Sequence, residues 1–161
     1  MPASQARCLD KDRPGLYYAV VNETPTASLA FELMRTLHTV EGRFESVLEP
    51  LGLSLAKFGA LSRLVAAGEP LPLGTLAERC ACVRSNITQL IDRLESDGLV
   101  ARADDPRDRR SIRAELTPEG RRRHGAGLKA LEAAEDELVA QIPHGQRDTL
   151  MDLLKALRGA R

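Results

Sequence analysis

Between residues 82 and 110 the chain changes its hydrophobic period. In CVRSNITQLIDRLESDGLVARADDPRDRR, Ile87, Leu90, Ile91 and Leu94 fall on one stripe of a helix, and Gly98 then stops it as a left-handed cap. Residues 99–103 and 111–116 read as two short strands. The second strand alternates, with Ile112, Ala114 and Leu116 inward and Arg113 and Glu115 outward. Between the strands lies a tight loop of about seven residues, rich in arginine and aspartate. A helix that runs at once into a charged hairpin excludes a plain helical bundle and a pure β fold.

The flanks are helical. From 26 to about 48, Leu29, Leu33, Leu37, Val40, Phe44, Val47 and Leu48 recur at helical spacing, and Pro50 and Gly52 break the pattern. A second helix is expected over 54–67, stopped by Gly68, and a short one over 73–80 facing inward through Leu73, Leu76, Ala77 and Cys80. Thr117 and Pro118 supply the cap and first position of a long helix reaching about 141, and a last helix follows over about 146–158. Residues 1–25 form a polar N-terminal arm whose Tyr17 and Tyr18 are placed to pack on the body, and 26–158 form a single domain. The expected class is mainly α with a small β-hairpin (α+β).

Helix, short helix, turn, helix, hairpin is the order of a helix-turn-helix, whose second helix offers one polar face to a major groove. The apolar stripe leaves Arg84, Ser85, Asn86, Thr88 and Gln89 on that face near the helix start. Arginine pairs with guanine, asparagine and glutamine pair with adenine, and serine reaches bases or phosphates. Phosphates also favour the positive end of the helix. In the hairpin, Arg107, Arg109 and Arg110 are candidates for the minor groove. Arg102, Asp105 and Asp108 are read as internal bracing, each carboxylate fixing a guanidinium.

Of the 161 residues, 43% are hydrophobic and only 3% aromatic, so leucine, alanine, valine and isoleucine must build the core. The formal net charge is zero, yet from Arg79 to Arg113 eight arginines stand against six acids. Local charge, not the sum, decides contact with nucleic acid. No segment approaches a membrane span, and the N-terminus has no apolar signal-peptide run. Three cysteines, at 8, 80 and 82, make no secreted disulfide framework, so a cytoplasmic protein is expected. No phosphate loop, zinc-protease pair or histidine cluster points to an enzyme, a cofactor or a metal. Gly125-Ala126-Gly127 sits in a helical stretch and follows no strand.

The run LAERCACVRSNITQLIDRLESDGLVARADDPRDRRSIRAELTPEGR resembles the DNA-binding core of the MarR family of bacterial winged helix-turn-helix transcriptional regulators. The wing carries the most specific part of the likeness: Arg102, Asp105, Asp108 and Arg110, then Leu116-Thr117 and Gly120. The resemblance implies a homodimer on a palindromic operator in double-stranded DNA, with 26–48 and 118–158 as dimerisation helices and 54–117 as the winged helix-turn-helix. It implies repression relieved by a small anionic or phenolic effector or by an oxidant. Two positions depart from the pattern. Val83 stands where a serine often caps the recognition helix, which is worth roughly 0.5–2 kcal/mol, so a displaced start or a water is the expected substitute. The turn reads Cys80-Ala81-Cys82 where Leu-Gly-Val is common.

For an effector, Arg35, His38 and Phe58 are the candidate pocket residues, while His124 and His144 read as solvated. Redox sensing through Cys8 or the Cys80/Cys82 pair is an alternative, set against both turn cysteines as small buried hydrophobes. A winged-helix module that binds protein instead of DNA is the other.

Overall fold

A computed structural model of the chain describes residues 28–105 and 108–159, and at 105 and 108–111 it describes the backbone alone. The expected arm over 1–25, with Tyr17, Tyr18 and Cys8, lies outside the described residues, as does Arg107. Among the described residues the order is α1 (Leu29–Leu48), a 3-10 turn (Glu49–Leu51), α2 (Leu55–Ala67), β1 (Leu71–Pro72), α3 (Leu73–Arg79), α4 (Arg84–Ser96), β2 (Val100–Asp105), β3 (Asp108–Leu116), α5 (Pro118–Ala140) and α6 (His144–Gly159).

The boundaries follow from local chemistry. Ser54 caps α2 by accepting a hydrogen bond from the Lys57 amide at 3.2 Å. Gly68 ends that helix in the left-handed region at φ 67°. Gly98, at φ 70°, follows α4 and lets the chain turn straight into β2. Thr117 caps α5 through the Gly120 amide at 2.9 Å, with proline in the first turn.

The strands correct the expected hairpin in three ways. They extend to Asp105 and from Asp108, so strand reaches into the expected loop, with an irregularity at Asp104/Asp105. A third strand, Leu71–Pro72, pairs antiparallel with β3 and gives the order β1-β3-β2. It is only two residues long and ends on a proline, as an edge strand can. Ile112, expected inward, is 43% exposed. Ala114, two residues on, is fully buried.

The core lies where α1, α2, α3, α4 and the sheet meet, around Leu48, Leu61, Leu76, Ile87, Ile91, Leu94, Leu99 and Val100. The long helices behave differently. α6 buries none of its residues, and Leu150, Met151, Leu153, Leu154 and Leu157 are exposed along it. Leu29 and Leu37 of α1 and Leu128 of α5 are exposed too. No helix among the described residues is long and apolar enough to cross a membrane.

Candidate nucleic-acid interface

α3 and α4 are joined by a sharp turn. Cys80 caps α3, Ala81 takes the left-handed region at φ 51°, and the Cys82 amide donates to the Ala77 carbonyl at 3.0 Å. Left-handed backbone costs an ordinary L-residue about 1–2 kcal/mol, which accounts for glycine being common there. Cys80 and Cys82 are half-buried and pack against the core.

α4 then starts at Arg84 with no displacement, against one of the two expected remedies for Val83. Val83 is the extended cap residue, and no side chain caps this end. The Val83 carbonyl accepts from the Asn86 and Ile87 amides at 3.1 and 3.2 Å. Ile87, Ile91 and Leu94 face the core, and Arg84, Ser85, Thr88 and Gln89 are exposed, as the apolar stripe predicts. Asn86 is half-buried, and its side-chain oxygen accepts from the Ser85 hydroxyl at 3.5 Å. The Thr88 hydroxyl donates back to the Arg84 carbonyl at 3.0 Å, which leaves it an acceptor toward solvent. Arg84 lies along α3: a Cβ on Gly74 would sit 3.3 Å from its Nη2. Gly74 therefore makes room for this arginine, a contact no local sequence pattern signals.

Acids sit toward the other end of α4, and the structure gives two of them and the cap residue cationic partners. Arg102 on β2 bonds Asp92 and reaches Glu95 at 3.4 Å. Lys57 on α2 holds Asp97 at 2.6 Å. The brace formed by Arg102 therefore runs from the hairpin base to the recognition helix, a pairing the sequence reading did not include. Asp105, Asp108, Arg109 and Arg110 are placed by their backbone in β2 and β3. Arg113, expected outward on the second strand, is half-buried and donates to the Pro70 carbonyl at 3.5 Å.

The candidate effector residues lie on α1 and α2. Arg35 donates to Glu32 on its own helix at 2.8 Å, and His38 is exposed on α1. Phe58 instead stacks on His124 of α5, with centroids 4.9 Å apart and planes 7° from parallel. His124, expected to be solvated, also shares a 3.0 Å hydrogen bond with the Ser62 hydroxyl. The same hydroxyl lies 2.9 Å from the Phe58 carbonyl, so Ser62 links His124 to the α2 backbone. Burial, helped by the positive charge of Arg121, lowers the pKa of His124 from its ordinary 6.5. No group of His, Cys, Asp and Glu among the described residues could hold a metal ion.

A model of the MarR family matches residues 53–112, which run from the start of α2 through most of β3. The HTH-type transcriptional regulator YkoM of Bacillus subtilis is 38% identical over 69 residues, covering 43% of this chain and 44% of its own length. YsmB of the same organism is 32% identical over 83 residues, covering 52% and 56%. The chain thus spans about half the length of these curated relatives. Among solved structures, the transcriptional repressor CouR bound to a 23-mer DNA duplex matches with a TM-score of 0.72 at 29% identity, over 81% of this chain and 92% of that chain. CouR from Rhodococcus jostii RHA1 bound to p-coumaroyl-CoA matches with a TM-score of 0.66 at 25% identity, over 84% and 94%.

Proposed function

The chain belongs to the MarR family of winged helix-turn-helix regulators, and on that premise we propose that it is a sequence-specific DNA-binding regulator of transcription, a homodimeric repressor released by a small-molecule ligand. The observation that carries this is the split of α4 into a buried apolar face and an exposed face of Arg84, Ser85, Thr88 and Gln89 at its N-terminal end. That end enters the major groove in a helix-turn-helix, where those side chains read bases and hold phosphates. The wing, with Arg107, Arg109 and Arg110, follows the adjacent minor groove.

The exposed leucines of α1 and α6 support a dimer, because an apolar stripe this long on one chain is normally covered. Residues 26–48 and 118–158 are its dimerisation helices. Two-fold symmetry then calls for a palindromic operator with half-site centres about 34 Å apart or a multiple of that. The effector is a phenolic or anionic compound, in line with the p-coumaroyl-CoA held by CouR, bound near Arg35, His38 and Phe58. The working compartment is the bacterial cytoplasm.

Fluorescence anisotropy tests the reading. The reduced protein is titrated with its own upstream region and with a scrambled duplex, at two salt concentrations. Tight binding that prefers the native duplex and falls steeply with salt is expected. Equal weak binding to both, repeated with duplexes selected from genomic fragments, supports a protein-binding module instead. Phenolic acids are then added, and peroxide afterwards. Release by peroxide alone favours redox sensing through Cys8, Cys80 or Cys82.

A further inference from the structure

Val83 is anomalous where it stands. Valine is among the poorest N-caps, since its side chain cannot accept from the first amides of the helix, and none does so here. It is no core residue either, being 45% exposed. It is thus an aliphatic side chain at the tip of the recognition helix, directly before the exposed Arg84 and Ser85. The extended backbone at Val83, with φ −72° and ψ 152°, ends the turn, and its carbonyl anchors the first helical turn through the Asn86 and Ile87 amides. Its position is therefore as fixed as that of the polar side chains behind it.

The major groove offers one apolar group, the 5-methyl of thymine. Resting on the DNA-binding reading above, we propose that Val83 is a specificity-determining residue that packs on a thymine methyl at one symmetric position in each half-site. The uncapped helix start fits the same role. With no side chain over the first amides, the end can approach a phosphate closely, as helix N-termini do, and that approach brings Val83 to the base edges. A serine at this position stabilises the helix but has no apolar surface to offer the methyl.

The test uses the full chain and a bound operator fragment in which each thymine in turn is replaced by uracil, which lacks the methyl and keeps the same hydrogen-bonding edge. Wild type is expected to lose about four-fold in affinity at one position per half-site, the worth of one buried methyl, and about sixteen-fold when both half-sites are changed. Val83→Ser is expected to bind thymine and uracil probes alike while melting at a higher temperature, which separates lost recognition from misfolding. Val83→Ile is expected to keep the preference for thymine. If wild type binds every uracil probe as it binds thymine, or if Val83→Ser keeps the wild-type ratio, the inference is overturned while the DNA-binding reading stands. Failure to bind any duplex overturns both.

Discussion

Gly120→Ala should destabilise the junction between the wing and the long helix, and the cost can be worked from the geometry. Gly120 is buried in the first turn of α5. A Cβ there would overlap the Leu99 carbonyl oxygen outright and lie 3.0 Å from both the Leu99 carbonyl carbon and Leu116 Cδ1. That carbonyl is not free to swing away, because it accepts from the Thr117 amide at 3.2 Å. Thr117 is itself held, its hydroxyl donating to the Gly98 carbonyl at 2.8 Å and accepting from the Gly120 amide at 2.9 Å. Displacing the carbonyl costs about 1 kcal/mol for the lost hydrogen bond and about 1–3 kcal/mol for overpacking. Alanine returns at most about 1 kcal/mol of helix propensity, so the net loss is about 1–3 kcal/mol. Gly125, in the same helix, is the control: nothing lies within 4 Å of a Cβ placed there, so Gly125→Ala should gain up to about 1 kcal/mol. The two variants should differ by about 2–4 kcal/mol. The assay is urea unfolding followed by far-UV circular dichroism, at one protein concentration because subunit association shifts the midpoint. If the two variants unfold within about 0.5 kcal/mol of each other, the Leu99 carbonyl is not the constraint and the reasoning fails.

Five other substitutions follow from the same geometry. Ala81→Gly should stabilise the chain by about 0.5–1 kcal/mol, since relief of left-handed strain exceeds the added entropy of the unfolded chain; the urea midpoint reads it, and a fall would contradict the strain. Arg102→Ala should cost about 1 kcal/mol or less in stability, because its partners are solvent-exposed. It should weaken DNA binding about ten-fold by leaving Asp92 and Glu95 unneutralised on the recognition helix, and unchanged anisotropy would show that the brace does not serve the interface. The lowered pKa of His124 favours its neutral form in the fold, so its contribution to stability is complete above 6.5 and declines as pH falls through 6.5 toward the folded value. His124→Gln should therefore shrink the drop in melting temperature between about pH 7.5 and about pH 5.5, and an undiminished drop would assign the pH effect elsewhere. Arg84→Ala should lower the salt slope of binding by about 1 for most duplexes alike, whereas Gln89→Ala should relax preference at one base position; selection from random duplexes separates the two.

What was legible in the sequence was whatever depends on period and punctuation. Ser54, Gly68, Gly98, Thr117 and Pro118 each act within a residue or two of themselves, and they bound α2, α4 and α5 as expected. The exposed face of α4 follows from the spacing of Ile87, Ile91 and Leu94 alone. What was missed depends on contacts distant in sequence. Residues 71 and 72 become a strand only because β3 lies beside them, and no periodicity can show in two residues. The stacking of Phe58 on His124 joins residues far apart in sequence, so no local pattern shows it. The long helices were legible as helices, but their exposed leucines carry the same spacing as core leucines, so the pattern alone cannot tell an intramolecular core from a surface awaiting a partner.

If the proposed DNA-binding reading holds, Arg102 reconciles a chain of zero net charge with a polyanionic partner. Aspartates beside a phosphate-facing surface would weaken binding if they faced the duplex unpaired. Asp92 and Glu95 belong to α4, and the backbone places them in its C-terminal half, away from Arg84 and Ser85. Arg102 meets both from the hairpin base, and Lys57 meets Asp97 just beyond the helix. These pairs cancel charge locally, and the Arg102 pairs tie α4 to the base of the hairpin. Arg84 has no such acid beside it in the first turn of α4, so positive charge remains at the end that the proposed reading turns toward phosphates. A bidentate guanidinium holds two carboxylates one helical turn apart in a way a lysine ammonium cannot. Arg102→Lys should therefore keep the net charge and still lose part of the affinity that Arg102→Ala loses, with the remainder measuring how much of the brace is geometry.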